Sequence, residues 1–553
     1  MALSRKKTLS LVLSGVLAIS ALLAGCSGSG QKENGEKAAE SESQVKELSF
    51  KVHTTYFSSS PQGTETHKKW QEMMEKYLGA KLNITWEEVP WNDYNKQMPI
   101  YLASGDYADI FTASGTDIMQ KVNEAGTGGQ LVNLTKYWDK VKYYKAYIED
   151  PKYKERVTAA DGGIYGFADG RNSNHTGTQL NHSLRFDVFQ KNNIKPPETM
   201  DEYYTVAKKL KELYPQSYPV GSFRNSTSLI DYFLYMNHTS NAILYDGKKY
   251  VLGPVDQMDR NKEVLVYLNK LYKEGLLDPE FFVITADQAR QKMLTDKVFM
   301  VPNYSGSQIN DYLNFNKEYP EVKWGVINHP KNFRGEVSWK MGSAAKGKTI
   351  STAYNIVIST KTKYPDLLVK LVDYQYSDEM LELANWGIEG VTFKKNADGS
   401  RDYLPAIMNA QSPGIELGKF GVNQSMSVRS GIQFMPQDSI AGIKLTKPCP
   451  VWWNGKYGED NFNLFTSEKG GPESVKPEDL PIVFDTNEQD RINNIYNPIK
   501  TYLEELVIKV VTGKATIADW EKYVTELKTK GDYKIVLDMY NKKADEFNKK
   551  YAK

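Results

Sequence analysis

An alternation of short apolar strands with amphipathic helices, beginning near residue 48, is the strongest constraint on how this chain folds. Residues 48–52 alternate apolar and polar side chains, as a half-buried strand does, and a helical pattern follows over 64–78. A second alternating segment at 82–86 precedes a helical stretch at 91–104. Strands separated by helices of this length indicate a parallel sheet covered by helices, so we predict an α/β fold.

The same alternation continues along the chain and ends in helices. Thr199 and Glu202 form a capping-box pattern that starts a helix over Met200–Tyr214. The C-terminal segment is predicted to be helical, with breaks at Gly513 and Gly531. Further strands are predicted at 109–113, 163–167, 178–184, 242–245, 250–252, 298–301, 322–327 and 354–358. Two α/β units followed by helices suggest two lobes around a cleft.

The N-terminus carries an export signal. Arg5, Lys6 and Lys7 precede an apolar run over 11–23, which is shorter than the ~20 residues of a transmembrane helix. The run ends in Leu-Ala-Gly-Cys, which resembles the lipobox of bacterial lipoproteins, in which the cysteine is diacylated and becomes the first residue of the mature chain. We therefore expect a signal peptide at 1–25, a lipid anchor on Cys26 at the outer face of the membrane, and a flexible Ser/Gly/Glu/Lys-rich tether over 26–46. The alternative is a secreted protein whose cysteine lies near the cleavage site by chance.

Charge and cysteine content exclude several classes of function. The chain has 70 Lys and Arg and 68 Asp and Glu, and three of the basic residues lie in the signal, so the remainder has a formal charge of −1. This balance gives no support for nucleic-acid binding. With Cys26 lipidated, only Cys449 remains, which leaves no intramolecular disulfide and no cysteine-based metal site. We expect no cofactor and no metal.

Aromatic residues are over-represented, with 36 Tyr and 10 Trp. These residues fill protein cores, and they also suit sugar recognition, because an aromatic face packs on the apolar face of a pyranose.

Six segments in a fixed order carry a resemblance to a known family. They are 102–110 (LASGDYADI), 129–134 (GQLVNL), 161–166 (DGGIYG), 197–202 (PETMDE), 385–390 (NWGIEG) and 513–516 (GKAT). With the lipobox, they make the chain similar to the extracellular solute-binding lipoproteins (solute-binding protein family 1) of bacterial ABC sugar importers. Within that family it looks like the large oligosaccharide-binding members of Gram-positive bacteria.

The resemblance implies a two-lobed, periplasmic-binding-protein-like fold of type II, the maltose-binding-like class, with a multi-strand hinge. It implies a first lobe from 47–183 and 355–440 and a second from 184–354 and 441–553. The chain would cross between lobes near Asn181–Asp187 and again near Thr352–Asn355. The implied function is capture of an oligosaccharide in a cleft that closes on it, followed by delivery to the transmembrane subunits of an ABC permease. We expect the protein to act as a monomer.

Candidate ligand contacts come from strand ends and from the resemblance. The carboxyl ends of parallel strands collect ligands, so the loops with Tyr56 and Ser58 and with Ser114 and Asp117 are candidates. The planar polar side chains Arg171, Asn172 and Asn174 suit sugar hydroxyls, although a solvated loop explains them as well. Trp91 fits a core position better than a cleft position, and it is kept as a candidate contact.

The remaining candidates follow from the resemblance. Tyr304 lies where maltose-type relatives place a sugar-stacking aromatic, with Asn303 or Ser305 as the alternative inward-facing residue. Trp386 and Glu389 lie in one of the matching segments. Trp452 and Trp453 are adjacent, so we expect only one of them to contact the ligand.

The sequence lacks the calcium loop of some relatives, and it lacks recognisable enzyme motifs. Some relatives carry a calcium loop after the helix that corresponds to 200–214, but here Tyr214–Pro219 offers no carboxylate ligands, so we predict no calcium there. No recognisable glycosidase segment, histidine cluster or Gly-x-Ser-x-Gly elbow is present, so we predict that the protein is not an enzyme. The open alternatives are a ligand-sensing or peptide-capture lipoprotein of the same fold and, less favoured, a cell-surface glycan-active enzyme.

Overall fold

The computed structural model describes the body of the chain from residue 45 to residue 551, with internal gaps. The described residues are 45–56, 60–113, 118–173, 180–223, 228–304, 319–322, 324–327, 329–339, 347–399, 401–408, 410, 413–422, 477 and 479–551. Within these ranges, no helix combines the length and the apolar character needed to cross a bilayer. Cys26 and nearly all of the predicted tether lie outside the described residues.

Strands and helices alternate through most of the described chain. The strands are β1 (Glu47–Tyr56), β2 (Lys81–Pro90), β3 (Ile110–Thr112), β4 (Phe167–Ser173), β5 (Leu180–Arg185), β6 (Ile243–Tyr245), β7 (Tyr250–Leu252), β8 (Met300–Tyr304), β9 (Trp324–Ile327), β10 (Gly347–Ile358), β11 (Phe393–Lys395) and β12 (Arg401–Tyr403). The helices are α1 (Glu65–Leu78), α2 (Trp91–Ser104), α3 (Ile118–Thr127), α4 (Tyr143–Tyr147), α5 (Pro151–Arg156), α6 (Phe186–Lys191), α7 (Met200–Leu213), α8 (Ser228–Met236), α9 (Gly253–Asp256), α10 (Met258–Lys273), α11 (Ala286–Leu294), α12 (Pro365–Tyr374), α13 (Asp378–Trp386), α14 (Pro405–Met408), α15 (Pro413–Lys419), α16 (Thr486–Val511), α17 (Ile517–Lys530) and α18 (Asp532–Tyr551).

The first sheet has the strand order β2-β1-β3-β10-β4. β1 pairs in parallel with β2 and β3, which confirms the parallel arrangement predicted from the alternation. β10 runs antiparallel to both β3 and β4, so the sheet is mixed. Leu48, Phe50 and Val52 are at most 5% exposed, as their spacing predicts, and burying side chains of this size stabilises a fold by about 1.5–3 kcal/mol each.

The second sheet has the order β8-β5-β9, with β5 antiparallel to both neighbours. The predicted hairpin is also present: β6 pairs with β7 across a turn in which Gly247 has a φ of 97°. A non-glycine side chain is disfavoured at that positive φ, which explains the Asp-Gly turn.

Buried apolar side chains form two clusters, and these define the lobes. The first lobe draws on Leu48–Ala168 and again on Ile356–Val422. The second lobe draws on Leu184–Ile327 and again on the C-terminal helices, from Ile499 to Ala544. Each lobe is therefore built from two separate stretches of chain.

The start of α7 and the breaks between the C-terminal helices lie where the sequence predicts them. Thr199 and Glu202 form the predicted capping box of α7, with Glu202 N–H donating to Thr199 Oγ1 over 3.2 Å. The C-terminal helices break at Gly513 and Gly531, as predicted, and both glycines have a φ above 70°.

The strand predicted at 163–167 is misplaced, because β4 begins only at Phe167. The preceding residues form a turn around Asp161, whose carboxylate accepts hydrogen bonds from the Gly163 N–H (2.9 Å) and from the Tyr165 hydroxyl. This local side-chain bonding competes with strand pairing, as aspartate commonly does in turns.

The chain changes from one sheet to the other in two places. Among the described residues, β5 pairs only with strands of the second sheet, so the chain leaves the first sheet between Ser173 and Leu180. It returns between Trp339 and Gly347, since β10 pairs with β4 from Gly347 onward. The predicted lobe boundaries at 183/184 and 354/355 fall inside β5 and β10, and they stay a prediction.

The C-terminal end of the chain also contacts the first lobe. Lys550 Nζ lies 3.1 Å from a Glu155 carboxylate oxygen, and the Arg156 guanidinium donates to the Asp479 carbonyl over 3.2 Å. The Lys550–Glu155 pair is partly exposed, so its contribution to stability is about 1 kcal/mol or less.

Asp373, at the end of α12, holds the start of α4 in place. Its carboxylate is fully buried and accepts the backbone N–H groups of Lys142 (2.9 Å), Tyr143 (3.1 Å) and Tyr144 (2.8 Å). A buried carboxylate is costly unless it is hydrogen-bonded, and these three donors meet that need.

Replacing Asp373 by Asn is expected to lower the free energy of unfolding by about 2 kcal/mol, because one acceptor oxygen becomes a donor that faces backbone N–H groups. Asp366→Asn, in the same helix, removes only a half-exposed ion pair with Lys140 and is the matched control, with an expected loss below about 1 kcal/mol. Urea unfolding of the two variants is the measurement. Equal losses would contradict the anchoring role of Asp373.

Candidate functional site

The carboxyl ends of the parallel strands meet at one edge of the first sheet. The β1–β2 register places Tyr56 opposite Pro90, and Trp91 begins α2 at the next residue. β3 ends at Thr112 beside β1, so the segment that contains Ser114 and Asp117 leaves the sheet at this same edge. The two loops singled out from the sequence and the start of α2 therefore lie at the same edge of the sheet.

Buried hydroxyl groups hold this edge. Tyr94 of α2 is fully buried, and its hydroxyl donates to the Thr112 carbonyl over 2.6 Å. The side-chain oxygens of Thr54 and Thr112 lie 2.9 Å apart, which joins β1 to β3 through a hydrogen bond. Burial raises the pKa of Tyr94 well above its usual value, so the phenol keeps its proton and acts as a donor. The edge is thus a fixed platform for the loops that follow it.

β4 and β10 continue past this edge as a two-stranded ribbon. Near β3, Ile356 of β10 lies opposite both Thr112 and Phe167. Farther along β4, Arg171 pairs with Thr349 and Asn172 with Lys348, beyond the last residue of β3. Both candidate residues therefore lie on the strand that leads from the first sheet toward the crossing.

Asn303 and Tyr304 lie on the other side of that crossing. They end β8, where Asn303 pairs with Asn181 and Tyr304 with Leu180, the first residue of β5. β5 is the strand that the chain enters directly after the crossing from β4. The backbone thus brings candidates from both lobes to the two ends of one short connection.

A buried polar cluster lies behind β5, and no sequence pattern predicted it. The Tyr232 hydroxyl is 2.8 Å from His182 Nδ1 and 2.7 Å from His329 Nδ1. His182 lies on β5, Tyr232 on α8 and His329 directly after β9, so the cluster joins three elements of the second lobe. Residues so far apart in sequence carry no common spacing, which is why sequence reasoning missed them.

The two histidines in this cluster need opposite tautomers. A phenol has one proton to donate, so one imidazole accepts it and the other donates its own Nδ1–H to the Tyr232 oxygen. His182 is fully buried, and burial lowers its pKa to about 3, so the ring is neutral at physiological pH. His182 Nε2 and His329 Nε2 are both buried without a hydrogen-bond partner in the described structure.

Trp386 and Glu389 occupy different environments. Trp386 is 3% exposed and packs against Tyr403 and Phe393, with ring centroids 4.8 and 5.8 Å away. Its ring is part of the core of the first lobe, and this packing leaves it no accessible face. Glu389 is exposed, and its carboxylate lies 3.8 Å from Lys395 Nζ.

The other candidate residues are described only in part or not at all. Tyr56 is half-buried at the end of β1. For Trp91, Arg171, Asn172, Asn303 and Tyr304 the structure describes the backbone position alone. Ser58, Ser114, Asp117, Asn174, Trp452 and Trp453 lie outside the described residues. Their contacts with a ligand stay predictions.

The segment after α7 is held by a lysine. Lys211 Nζ donates to the Ser217 carbonyl over 2.6 Å and lies 4.9 Å from the centre of the Tyr218 ring.

Across the described ranges, no group of three or more His, Cys, Asp or Glu side chains is arranged to hold a metal ion.

The buried His182 gives the fold a definite pH dependence. Its pKa is about 3 when folded and about 6.5 when unfolded, so between these values the unfolded chain binds one more proton. The free energy of unfolding is therefore expected to fall as the pH drops from about 6.5 toward 3, by up to about 1.4 kcal/mol per pH unit from this group. A His182→Gln variant lacks the titrating group and should show a shallower loss.

Urea unfolding at several pH values, for the native chain and His182→Gln, measures this difference. In the native chain, the ring-proton NMR signals of His182 should stay unshifted from pH 8 to pH 4.5. Equal pH dependence of the unfolding free energy in the two proteins, or a His182 signal that titrates near pH 6.5, would contradict the lowered pKa of His182.

Comparison with known proteins agrees with this architecture. Residues 60–382 match the family model described as bacterial extracellular solute-binding protein. The chain is 23% identical over 499 residues to the fructooligosaccharide ABC transporter substrate-binding protein FusA of Streptococcus pneumoniae, covering 85% of this chain and 86% of FusA. It is 21% identical to lipoprotein LipO of Bacillus subtilis, covering 70% and 74% of the two chains.

A solved structure shows the same fold. The alginate-binding protein AlgQ2 superposes with a TM-score of 0.68 at 20% identity, over 90% of this chain and 98% of AlgQ2. The two-lobed α/β architecture with a helical C-terminus is therefore that of two-domain solute-binding proteins. Since the family model spans more than half of the sequence, the chain belongs to the bacterial extracellular solute-binding protein family.

Proposed function

We infer that the chain is the substrate-binding lipoprotein of a bacterial ABC importer, which captures an oligosaccharide between its lobes and delivers it to the permease. The observation that carries this proposal is the backbone arrangement at the crossing. Arg171 and Asn172 lie on the strand that enters it, and Asn303 and Tyr304 lie beside the strand that leaves it. A ligand held there would contact both lobes.

The similar proteins support a sugar as the ligand. FusA is by name a fructooligosaccharide ABC transporter substrate-binding protein, and AlgQ2 is by title an alginate-binding protein. The surplus of 36 Tyr and 10 Trp suits sugar stacking.

The same comparisons support binding without turnover. The family and the similar proteins bind solutes for transporters. A glycosidase would need two carboxylates at a defined separation across the cleft, and no candidate pair is brought together by the residues described at the crossing. We therefore propose a binding role with no catalytic step.

A thermal-shift screen against a panel of glycans and peptides tests the proposal. A ligand that binds only the folded state raises the unfolding temperature, so one class of oligosaccharide is expected to do so and to be recovered intact after prolonged incubation. A shift with peptides alone would favour the peptide-capture alternative. Cleavage products that disappear when a cleft carboxylate is mutated would show an enzyme instead.

The lipid anchor gives a second prediction. Cys26 follows Leu23-Ala24-Gly25, and LipO is by name a lipoprotein. Cys26→Ala is expected to remove the lipid and shift the protein from the membrane fraction to the medium, since no helix in the described residues can span the bilayer. Fractionation with metabolic labelling by a fatty-acid analogue measures this. A Cys26→Ala protein that is still labelled and still membrane-bound would contradict the assignment.

Tyr304 and Trp386 form a matched pair for locating the ligand. If Tyr304 stacks on the sugar, Tyr304→Ala should weaken binding of the glycan found in the screen by about 2 kcal/mol or more while leaving the unfolding temperature of the free protein nearly unchanged. Trp386→Ala should lower the free energy of unfolding by about 3–5 kcal/mol, because it empties a core position, and should change affinity little.

Calorimetric titration and thermal unfolding of both variants separate the two roles. A Tyr304→Ala protein that binds with native affinity would remove Tyr304 from the site. A Trp386→Ala protein that keeps native stability but loses binding would place Trp386 in the site.

A further inference from the structure

The second lobe contains a cavity that the proposed sugar site does not use. It has a volume of about 930 Å³ and lies between the segment 193–198, one face of α7 and the segment 327–338 that follows β9. All of these residues belong to the second lobe, and none of the candidate sugar contacts lines the cavity. A volume of this size lies within the usual range of ligand sites.

One face of α7 packs into the core of the second lobe, and another face lines the cavity. Tyr203, Ala207 and Leu210 are fully buried on the core side of the helix. The stripe at positions 202, 205, 206 and 209 recurs at helical spacing and lines the cavity instead. The helix therefore presents one side to the core and another to this space.

The opposite wall is held firmly. The Lys331 backbone N–H donates to the Glu198 carbonyl over 2.8 Å, which ties the segment after β9 to the start of α7. The Ser338 hydroxyl donates to the Pro330 carbonyl over 2.6 Å and closes the loop that carries Val337. The two walls are thus connected through backbone atoms and do not depend on flexible side chains.

The cavity has an excess of positive charge. Lys195, Lys209 and Lys331 line it, and none of them is ion-paired with a carboxylate in the described structure. Glu198 and Glu202 line it as well, and Glu202 accepts the backbone N–H groups of Glu198 (2.7 Å) and Thr199 (3.2 Å). Three lysines against two glutamates leave the lining with a formal charge of +1, which favours an anion there.

The walls are also partly apolar. Ile194 and Val206 line the cavity, and Val337 is 40% exposed, which is high for a large aliphatic side chain. An inorganic anion would leave these surfaces in contact with water, whereas an organic one would cover them.

We propose that this cavity is a second binding site, separate from the sugar site between the lobes, for a compact organic anion of monosaccharide size. The anionic group lies among Lys195, Lys209 and Lys331, and the carbon skeleton lies against Val206 and Val337. A sugar phosphate and a sugar acid share this chemistry. The site does not depend on the proposed transport function.

Titration calorimetry of the full-length chain in detergent tests the site with four probes: glucose 6-phosphate, galacturonate, glucose and inorganic phosphate. One or both sugar anions should bind with one site per chain, and the stronger of the two identifies phosphate or carboxylate as the preferred group. Glucose should not bind, and inorganic phosphate should bind more weakly than the sugar anions. Raising the salt concentration should weaken binding.

Two triple variants assign the binding to this cavity. Lys195→Gln/Lys209→Gln/Lys331→Gln should weaken the sugar anion by about tenfold or more. The matched control, Lys68→Gln/Lys76→Gln/Lys522→Gln, removes three exposed lysines elsewhere and should bind as the native chain does. Both variants replace surface residues, and equal unfolding temperatures would show that both fold.

Three results would overturn the proposal. They are the absence of binding by both sugar anions at millimolar concentration, binding of glucose or inorganic phosphate as strong as that of the sugar anions, and native affinity in the Lys195/Lys209/Lys331 variant. Failure here would leave the glycan screen unaffected, because that screen concerns the site between the lobes.

Discussion

The two-lobed arrangement depends on the pairing of β10 with both β3 and β4. β10 lies between these strands in the first sheet, yet in the chain it follows the first of the two stretches that build the second lobe. The first sheet is therefore complete only after the chain has left it, built this stretch of the second lobe and returned. Because Ser173 of β4 pairs with Gly347 of β10, the chain leaves and re-enters the first sheet at neighbouring strand ends. Residues at the ends of such elements can absorb a hinge rotation.

The polar groups buried near this connection have a consistent role. Tyr94 ties α2 to the carboxyl end of β3, and Tyr232 ties β5 to the segment after β9. Both hydroxyls lie in the lobe interiors, where a hydrogen bond is stronger than in water and an unpaired group is costly. Tyr94 thus fixes the end of β3 in the first lobe, and Tyr232 fixes β5, the strand that follows the crossing, in the second. The contact between Lys550 and Glu155 adds a second, weaker link between the lobes.

The sequence predicted local structure best where one residue type decides the outcome. The capping box of Thr199 and Glu202, the breaks at Gly513 and Gly531 and the alternation from Leu48 to Val52 each depend on neighbours in the chain, and each is confirmed. The strand at 163–167 failed because Asp161 forms a turn that competes with it. The start of β10 was predicted seven residues late. Its first half extends beyond the end of β3, pairs only with β4 among the described strands and shows no apolar run.

The candidate site could be predicted only in outline. Strand-end reasoning placed the loops after Tyr56 and before Asp117 at one edge, and the strands that precede them end there side by side. Trp386 was proposed from the resemblance alone, and a tryptophan beside a family motif has the same sequence signature in a core as in a cleft. The cluster of His182, Tyr232 and His329 had no signature at all, since its members meet only through the second lobe's packing.

The central claim is that a glycan contacts both lobes at the crossing and draws them together. A ligand shifts a conformational equilibrium only when it binds one state better than the other, and contacts from both lobes exist together only when the lobes are close. Small-angle X-ray scattering of the protein with and without the glycan identified in the screen measures this directly. The account predicts a smaller radius of gyration at saturation. An unchanged radius of gyration with the site fully occupied would contradict it.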